Sequence, residues 1–141
     1  MNLDRFYAIF DHTADIGIQL QAGDPAGIFT SAARAMFDLM FGLGAIGGSE
    51  RRLIEVTGDG PAELLVAWLN EVLYVHAADR LVFHDFADAR LSEGRFSAWG
   101  VGEKYDPDRH RGEMEIKAAT YHRLVFEKAG GVWNARIIFD V

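Results

Sequence analysis

Apolar positions recur along this chain in two rhythms, that of a strand and that of a helix. Arg5-Phe6-Tyr7-Ala8-Ile9-Phe10 is rich in aromatic and β-branched types and reads as a strand. The polar break Asp11-His12-Thr13-Ala14-Asp15 follows, and Ile16-Gly17-Ile18-Gln19-Leu20 then alternates as a half-buried strand does. The break therefore sits in a tight connection between two strands, or at the end of one. Gly23-Asp24-Pro25 is a helix start, with Asp24 as cap and Pro25 at the first helical position. Apolar residues at Ile28, Phe29, Ala32, Ala33, Met36, Phe37 and Met40 carry the helical spacing until Gly42 and Gly44 end it. A glycine-rich loop over 42–50 and a strand over Leu53 to Val56 come next, closed by Gly58-Asp59-Gly60.

Pro61 opens a second helix that runs to about Ala78 and is apolar over most of its circumference. That pattern predicts burial on more than one side, either between two layers or beneath a partner. The rest predicts β-structure: a strand from Leu81 to Leu91, a turn at 92–94 and a strand from Arg95 to Val101. A polar loop over 102–112, a strand from Glu115 to Glu127, a turn at 128–131 and a last strand from Val132 to Phe139 complete it. No repeat, low-complexity tract or linker interrupts the chain. Strands, two early helices and a late meander indicate an α+β class, with two helices packed against largely antiparallel β-sheet layers in one domain over 1–141.

Composition narrows the chemistry. The 141 residues include no cysteine, which excludes disulfides, thiolate zinc sites and cysteine nucleophiles. The net charge is −7, and only Lys104, Lys117 and Lys128 are lysines. Tight, sequence-independent binding to a phosphate backbone needs a basic surface, so no tight direct nucleic-acid binding is expected. The acid surplus points to a basic protein partner, a cation or simple solubility. No apolar run approaches the roughly 20 residues of a membrane span, and the first residues are not a secretory leader. The expected location is cytoplasmic, with no membrane partner.

Three places combine polarity with constraint. Asp11-His12-Thr13-Ala14-Asp15 offers two carboxylates, an imidazole and a hydroxyl, suited to a hard metal, to acid–base work, or to a turn bonded to its own backbone. Asp140-Val141 offers a side-chain carboxylate, a main-chain carbonyl and a terminal carboxylate, and oxygen-only donors select Ca²⁺, Mg²⁺ or Mn²⁺; the alternative is a solvated acidic end. In Glu115-Ile116-Lys117-Ala118-Ala119-Thr120-Tyr121-His122, a strand would put Glu115, Lys117, Ala119 and Tyr121 on one face. Lys117 is then either a paired ammonium beside an acidic site or an exposed edge-strand lysine. His110 reads as a solvated loop histidine, a ligand or a partner contact. His76 and His84 have no companions at metal-ligand spacing, and Trp68 reads as core. Gly42-Leu43-Gly44-Ala45-Ile46-Gly47 matches a nucleotide-loop string but follows a helix instead of opening one.

In this order, several segments resemble the archease family. They are Asp11-His12-Thr13-Ala14-Asp15-Ile16-Gly17-Ile18, Ala32 to Phe37, Leu64 to Leu73, Leu81-Val82-Phe83, Gly102-Glu103, Arg109-His110, Glu115 to His122 and Asp140-Val141. The resemblance covers essentially the whole chain and implies an archease-like fold. It further implies a non-enzymatic, cytoplasmic accessory protein that activates an RtcB-type tRNA-splicing RNA ligase. That ligase is GTP- and metal-dependent, and the accessory promotes its guanylylation and multiple turnover. By this resemblance Asp15, Asp140 and Val141 hold a divalent cation, and Lys117 and His12 take part in activating the partner. Ala119 stands where a larger β-branched residue is common in the family, and the 42–48 loop looks particular to this chain. Alternative readings are a chaperone or specificity modulator of a tRNA-modifying methyltransferase, or a small metal-dependent phosphoester hydrolase.

Overall fold

In this computed structural model, residues 6–10 and 15–141 are described. The chain runs β1 (Ala8–Phe10), β2 (Asp15–Ala22), α1 (Pro25–Phe41), a short 3-10 turn (Leu43–Ala45), β3 (Glu50–Thr57) and α2 (Pro61–Asp79). It continues with β4 (Leu81–Ser92), β5 (Arg95–Lys104), β6 (Ala118–Ala119), β7 (Val125–Ala129) and β8 (Val132–Asp140). One antiparallel sheet has the order β1-β2-β8-β6, with β7 also paired to β8; the other has the order β3-β5-β4. This is the α+β arrangement that the pattern predicts.

The helix starts are local chemistry. Asp24 accepts a hydrogen bond from the Gly27 N–H at 2.8 Å, and Pro25 fills the first turn of α1. Gly42, at φ 79°, returns its N–H to the Asp38 carbonyl and ends the helix. α2 begins at Pro61, carries Glu63 in its first turn and stops at Arg80, which is left-handed at φ 56°.

Both helices touch strands of both sheets, so they occupy the middle of the molecule. Phe29 of α1 shows how the layers lock. It is fully buried, stacks on Phe96 of β5 at 4.4 Å and meets Phe126 of β7 edge-on at 5.9 Å. Trp68 of α2 is fully buried and donates its indole N–H to the Phe29 carbonyl at 2.9 Å. The all-round apolar pattern of α2 is thus explained by two sheets. Among the described residues, no helix is long and apolar enough to cross a membrane.

One predicted strand divides. The stretch from Glu115 to Glu127 forms β6 and β7, which pair with β8 at different stations: Ala119 faces Phe139, whereas Val125 faces Arg136. Thr120 still bonds the Ile138 carbonyl through its N–H at 3.0 Å, and residues 121–124 are looped out beyond it. Arg123 takes a left-handed φ of 51°, and the Leu124 N–H closes the turn on the Tyr121 carbonyl. Alternation along a sequence fixes faces within an extended run but does not reveal a bulge that shifts register. Further on, β5 reaches Lys104, so three residues assigned to the polar loop, Gly102, Glu103 and Lys104, extend the strand. In the first predicted strand the described part of the ladder is Ala8–Phe10; Arg5 lies outside the described residues.

Candidate functional site

β2 and β8 are long antiparallel neighbours whose register runs from Ala22 opposite Trp133 to Asp15 opposite Asp140. The apolar positions set this register: Ile16, Ile18, Leu20, Ala135, Ile137 and Phe139 must share the core side, so Asp15 and Asp140 face each other on the other side. Asp15 is half-buried and Asp140 exposed. Val141 follows directly and is 37 % exposed.

The third predicted segment arrives at the same corner. Ala118 of β6 is opposite Asp140, and the Lys117 N–H donates to the Asp140 carbonyl at 2.8 Å. One lone-pair direction of that carbonyl is therefore used by the sheet. The Lys117 side chain is exposed and in no ion pair among the described residues. Lys117 thus stands just before β6, with its backbone tied to Asp140. Asp11, His12, Thr13 and Ala14 lie outside the described residues.

Two residues that sequence reasoning left without a role hold this corner in place. Asn70 of α2 accepts from the Ala119 N–H at 2.9 Å and donates to the Ala119 carbonyl at 3.1 Å. Its amide thus behaves as a strand neighbour for β6 and ties the edge carrying Lys117 to the helix. The available signal was one amide in an otherwise apolar stretch of α2. Gly17 is the other. A Cβ there would stand 2.5 Å from Phe10 Cζ, so only glycine lets the Phe10 ring lie across β2. The same ring carries the Arg136 guanidinium at 4.0 Å. Together these contacts anchor the end of β1, from which the chain passes to Asp15.

His110 and Glu103 form a separate, structural network. His110 is fully buried rather than solvated. Its Nδ1 accepts the Asp106 N–H at 2.9 Å, so the ring proton sits on Nε2 and is donated to Glu103 at 2.7 Å. Arg109 adds two bonds of 3.0 Å to the same carboxylate, and the Gly47 N–H a fourth at 2.7 Å. The Gly47 bond, then His110 and Arg109, hold the Glu103 carboxyl down at about 2 against its desolvation. The glycine-rich 42–48 loop is thereby pinned to β5. His76 of α2 donates from Nδ1 to the Leu81 carbonyl at 2.8 Å, and burial lowers its pKa from the ordinary value.

At the corner, the donors are chemically of one kind. Two carboxylates face each other across a strand pair, with Val141 oxygens next in the chain and neither imidazole nor sulfur in the pair. Like charges opposed in this way repel, and hard oxygen donors suit Ca²⁺, Mg²⁺ or Mn²⁺. Among the described residues, no cluster of three or more His, Asp or Glu side chains is present. The residues fit a hard cation by donor chemistry, with two carboxylates as its charge.

Comparison with known proteins agrees with the fold. Residues 7–141 match the model of the Archease protein family. Protein archease of Methanosarcina mazei is 37% identical over 139 residues, covering 96% of this chain and 95% of that protein. The solution structure of a Methanobacterium thermoautotrophicum protein superposes with a TM-score of 0.84 at 29% identity, covering 96% of this chain and 99% of that one. The crystal structure of a Thermotoga maritima protein, described as an archease and possible chaperone, shares the fold with a TM-score of 0.64 at 19% identity, over 94% of each chain. With its sheet register, helix pair and nearly full-length match, the chain belongs to the archease family.

Proposed function

We propose that this protein is a non-catalytic accessory that binds one divalent cation at Asp15, Asp140 and Val141 and activates an RtcB-type RNA ligase. The observation that carries this reading is the pairing of Asp15 with Asp140 in the β2–β8 register. A bound cation supplies a fixed positive charge of the kind that aids nucleotidyl transfer. This chain's own residues provide the setting. Asp15 and Asp140 present carboxylates from two adjacent strands, and neither depends on a loop for its position. Lys117 adds an exposed ammonium at the same edge, held there through its own N–H and through Asn70 acting on Ala119. His12, from the connection before β2, is assigned to partner contact in the same reading. The acidic surplus suits docking on an enzyme rather than on its RNA.

The test is guanylylation of a purified RtcB-type ligase with GTP, with and without this protein. Wild type is expected to raise both the rate and the number of turnovers, and Asp15→Ala to lose most of that stimulation. Full stimulation by Asp15→Ala would sink the cation role, and none by wild type would sink the ligase partnership.

A further inference from the structure

One wall of an open groove is built like a strand that lacks a neighbour. The groove, about 840 Å³, lies between α2 and residues 112–117. α2 lines it with Asn70, Leu73, Tyr74 and Ala77, the i, i+3, i+4, i+7 row of one helix face. Tyr74 is 66 % exposed, a large apolar ring left in water. Across from it, Glu113-Met114-Glu115-Ile116-Lys117 alternates as a strand does. Glu113, Glu115 and Lys117 are exposed, Met114 is half-buried and Ile116 is buried.

The backbone of this wall is fixed at its two ends. The Glu113 N–H donates to the Met40 carbonyl at 2.8 Å, and the Lys117 N–H to the Asp140 carbonyl at 2.8 Å. Between those ties, the N–H groups of Met114, Glu115 and Ile116 have no backbone partner among the described residues. A tethered, extended run with unpaired amides beside an apolar groove is a template for strand addition. Charge selects the added strand. Glu113 and Glu115 project from the wall on the face that also carries Lys117, which leaves that face net acidic in a chain of net charge −7.

We propose that residues 113–117 receive an extended segment of a partner protein in which apolar side chains alternate with Lys or Arg. The apolar side chains enter the groove beside Leu73 and Tyr74, and the basic ones meet Glu113 and Glu115. Main-chain bonding supplies affinity, while alternation and charge supply selectivity. The proposal is separate from the cation reading and shares only Lys117 and Asn70 with it.

The probe is a synthetic peptide of about seven residues with alternating Lys and Val, long enough to span the wall. It is titrated into the full chain in chelator, so that a failure of the cation reading has no bearing on the result. Saturable binding is expected, with slowed hydrogen exchange at the Met114 and Ile116 amides, which lie on the edge opposite to the one tied through Glu113 and Lys117. The double variant Glu113→Lys, Glu115→Lys changes only exposed side chains and should weaken binding about tenfold. Asp59→Lys, an exposed reversal at the distant β3–α2 turn, should change it less than twofold. Absence of saturable binding, equal loss in Asp59→Lys, or unprotected amides at saturation would each overturn the proposal. So would tighter binding of a helix-forming peptide of the same charge, or occupation of the groove by a second copy of this chain.

Discussion

Replacing Asp140 with asparagine should change stability in opposite directions with and without a divalent cation. Directly opposed residues in an antiparallel pair hold their Cβ atoms about 4.5–5.5 Å apart. Two unit charges at about 5 Å repel by about 0.8 kcal/mol in the dielectric of water, and by more where the dielectric is lower. Cross-strand like-charge pairs span about 0.2–1 kcal/mol. Asp140→Asn keeps the side-chain shape and leaves the main-chain bond from Lys117 untouched. In chelator the variant should therefore be more stable by about 0.5 kcal/mol, raising Tm by about 1–2 °C for a chain of this length. With cation the order reverses, because a ligand at a hundred times its Kd adds about 2.7 kcal/mol to the state that binds it. Thermal melts of both proteins by circular dichroism, in chelator and then in stepped Ca²⁺, Mg²⁺ or Mn²⁺, should give curves that cross. A variant less stable than wild type in chelator would refute the repulsion, and a wild-type melt unmoved by all three ions would refute the site.

Asn70→Leu should lower unfolding stability by about 2–4 kcal/mol in urea titrations, since it leaves both backbone groups of buried Ala119 without partners; a loss below about 0.5 kcal/mol would show that water replaces the amide. Glu103 has a folded pKa of about 2, below its ordinary 4.5, so its contribution is complete above about 4.5 and is lost as pH falls through about 2. Urea unfolding across that range should show Glu103→Gln with a flatter acid limb than wild type, and parallel limbs would refute the network's role. Gly17→Ala should cost about 1–3 kcal/mol by displacing the Phe10 ring, and adding Phe10→Ala should remove most of the penalty, as a double-mutant cycle would read.

Much of this was legible in the residues because local rules dominate where elements begin and end. Asp24 and Pro25 start α1 as capping chemistry dictates, and the apolar circumference of α2 announced cover on two sides. Asp15 and Asp140 stand out in the sequence as oxygen donors in separate segments that only the archease resemblance joins, because their pairing is a property of register. Register depends on which two strands meet, and that is decided by the assembled core. None of the readings open to His110 in the sequence, solvated, ligand or partner contact, gives its buried structural place, for a related reason. A loop composition reads as wet, whereas its burial comes from Glu103, Arg109 and the Gly47 amide acting together. The division of the Glu115–Glu127 stretch escaped notice because a bulge changes neither composition nor alternation on its two sides.

The position of β8 has a kinetic consequence. It pairs with β2, β6 and β7, so one sheet is organised around a strand near the end of the sequence, and the Asp15–Asp140 contact joins opposite ends of the chain. Contacts of such separation carry the largest loop-closure entropy and form late. During synthesis β2 must wait, with one edge unpaired, until the residues between it and β8 have emerged. The carboxylate pair is therefore a mark of closure: it exists only once β8 has been made and has found β2.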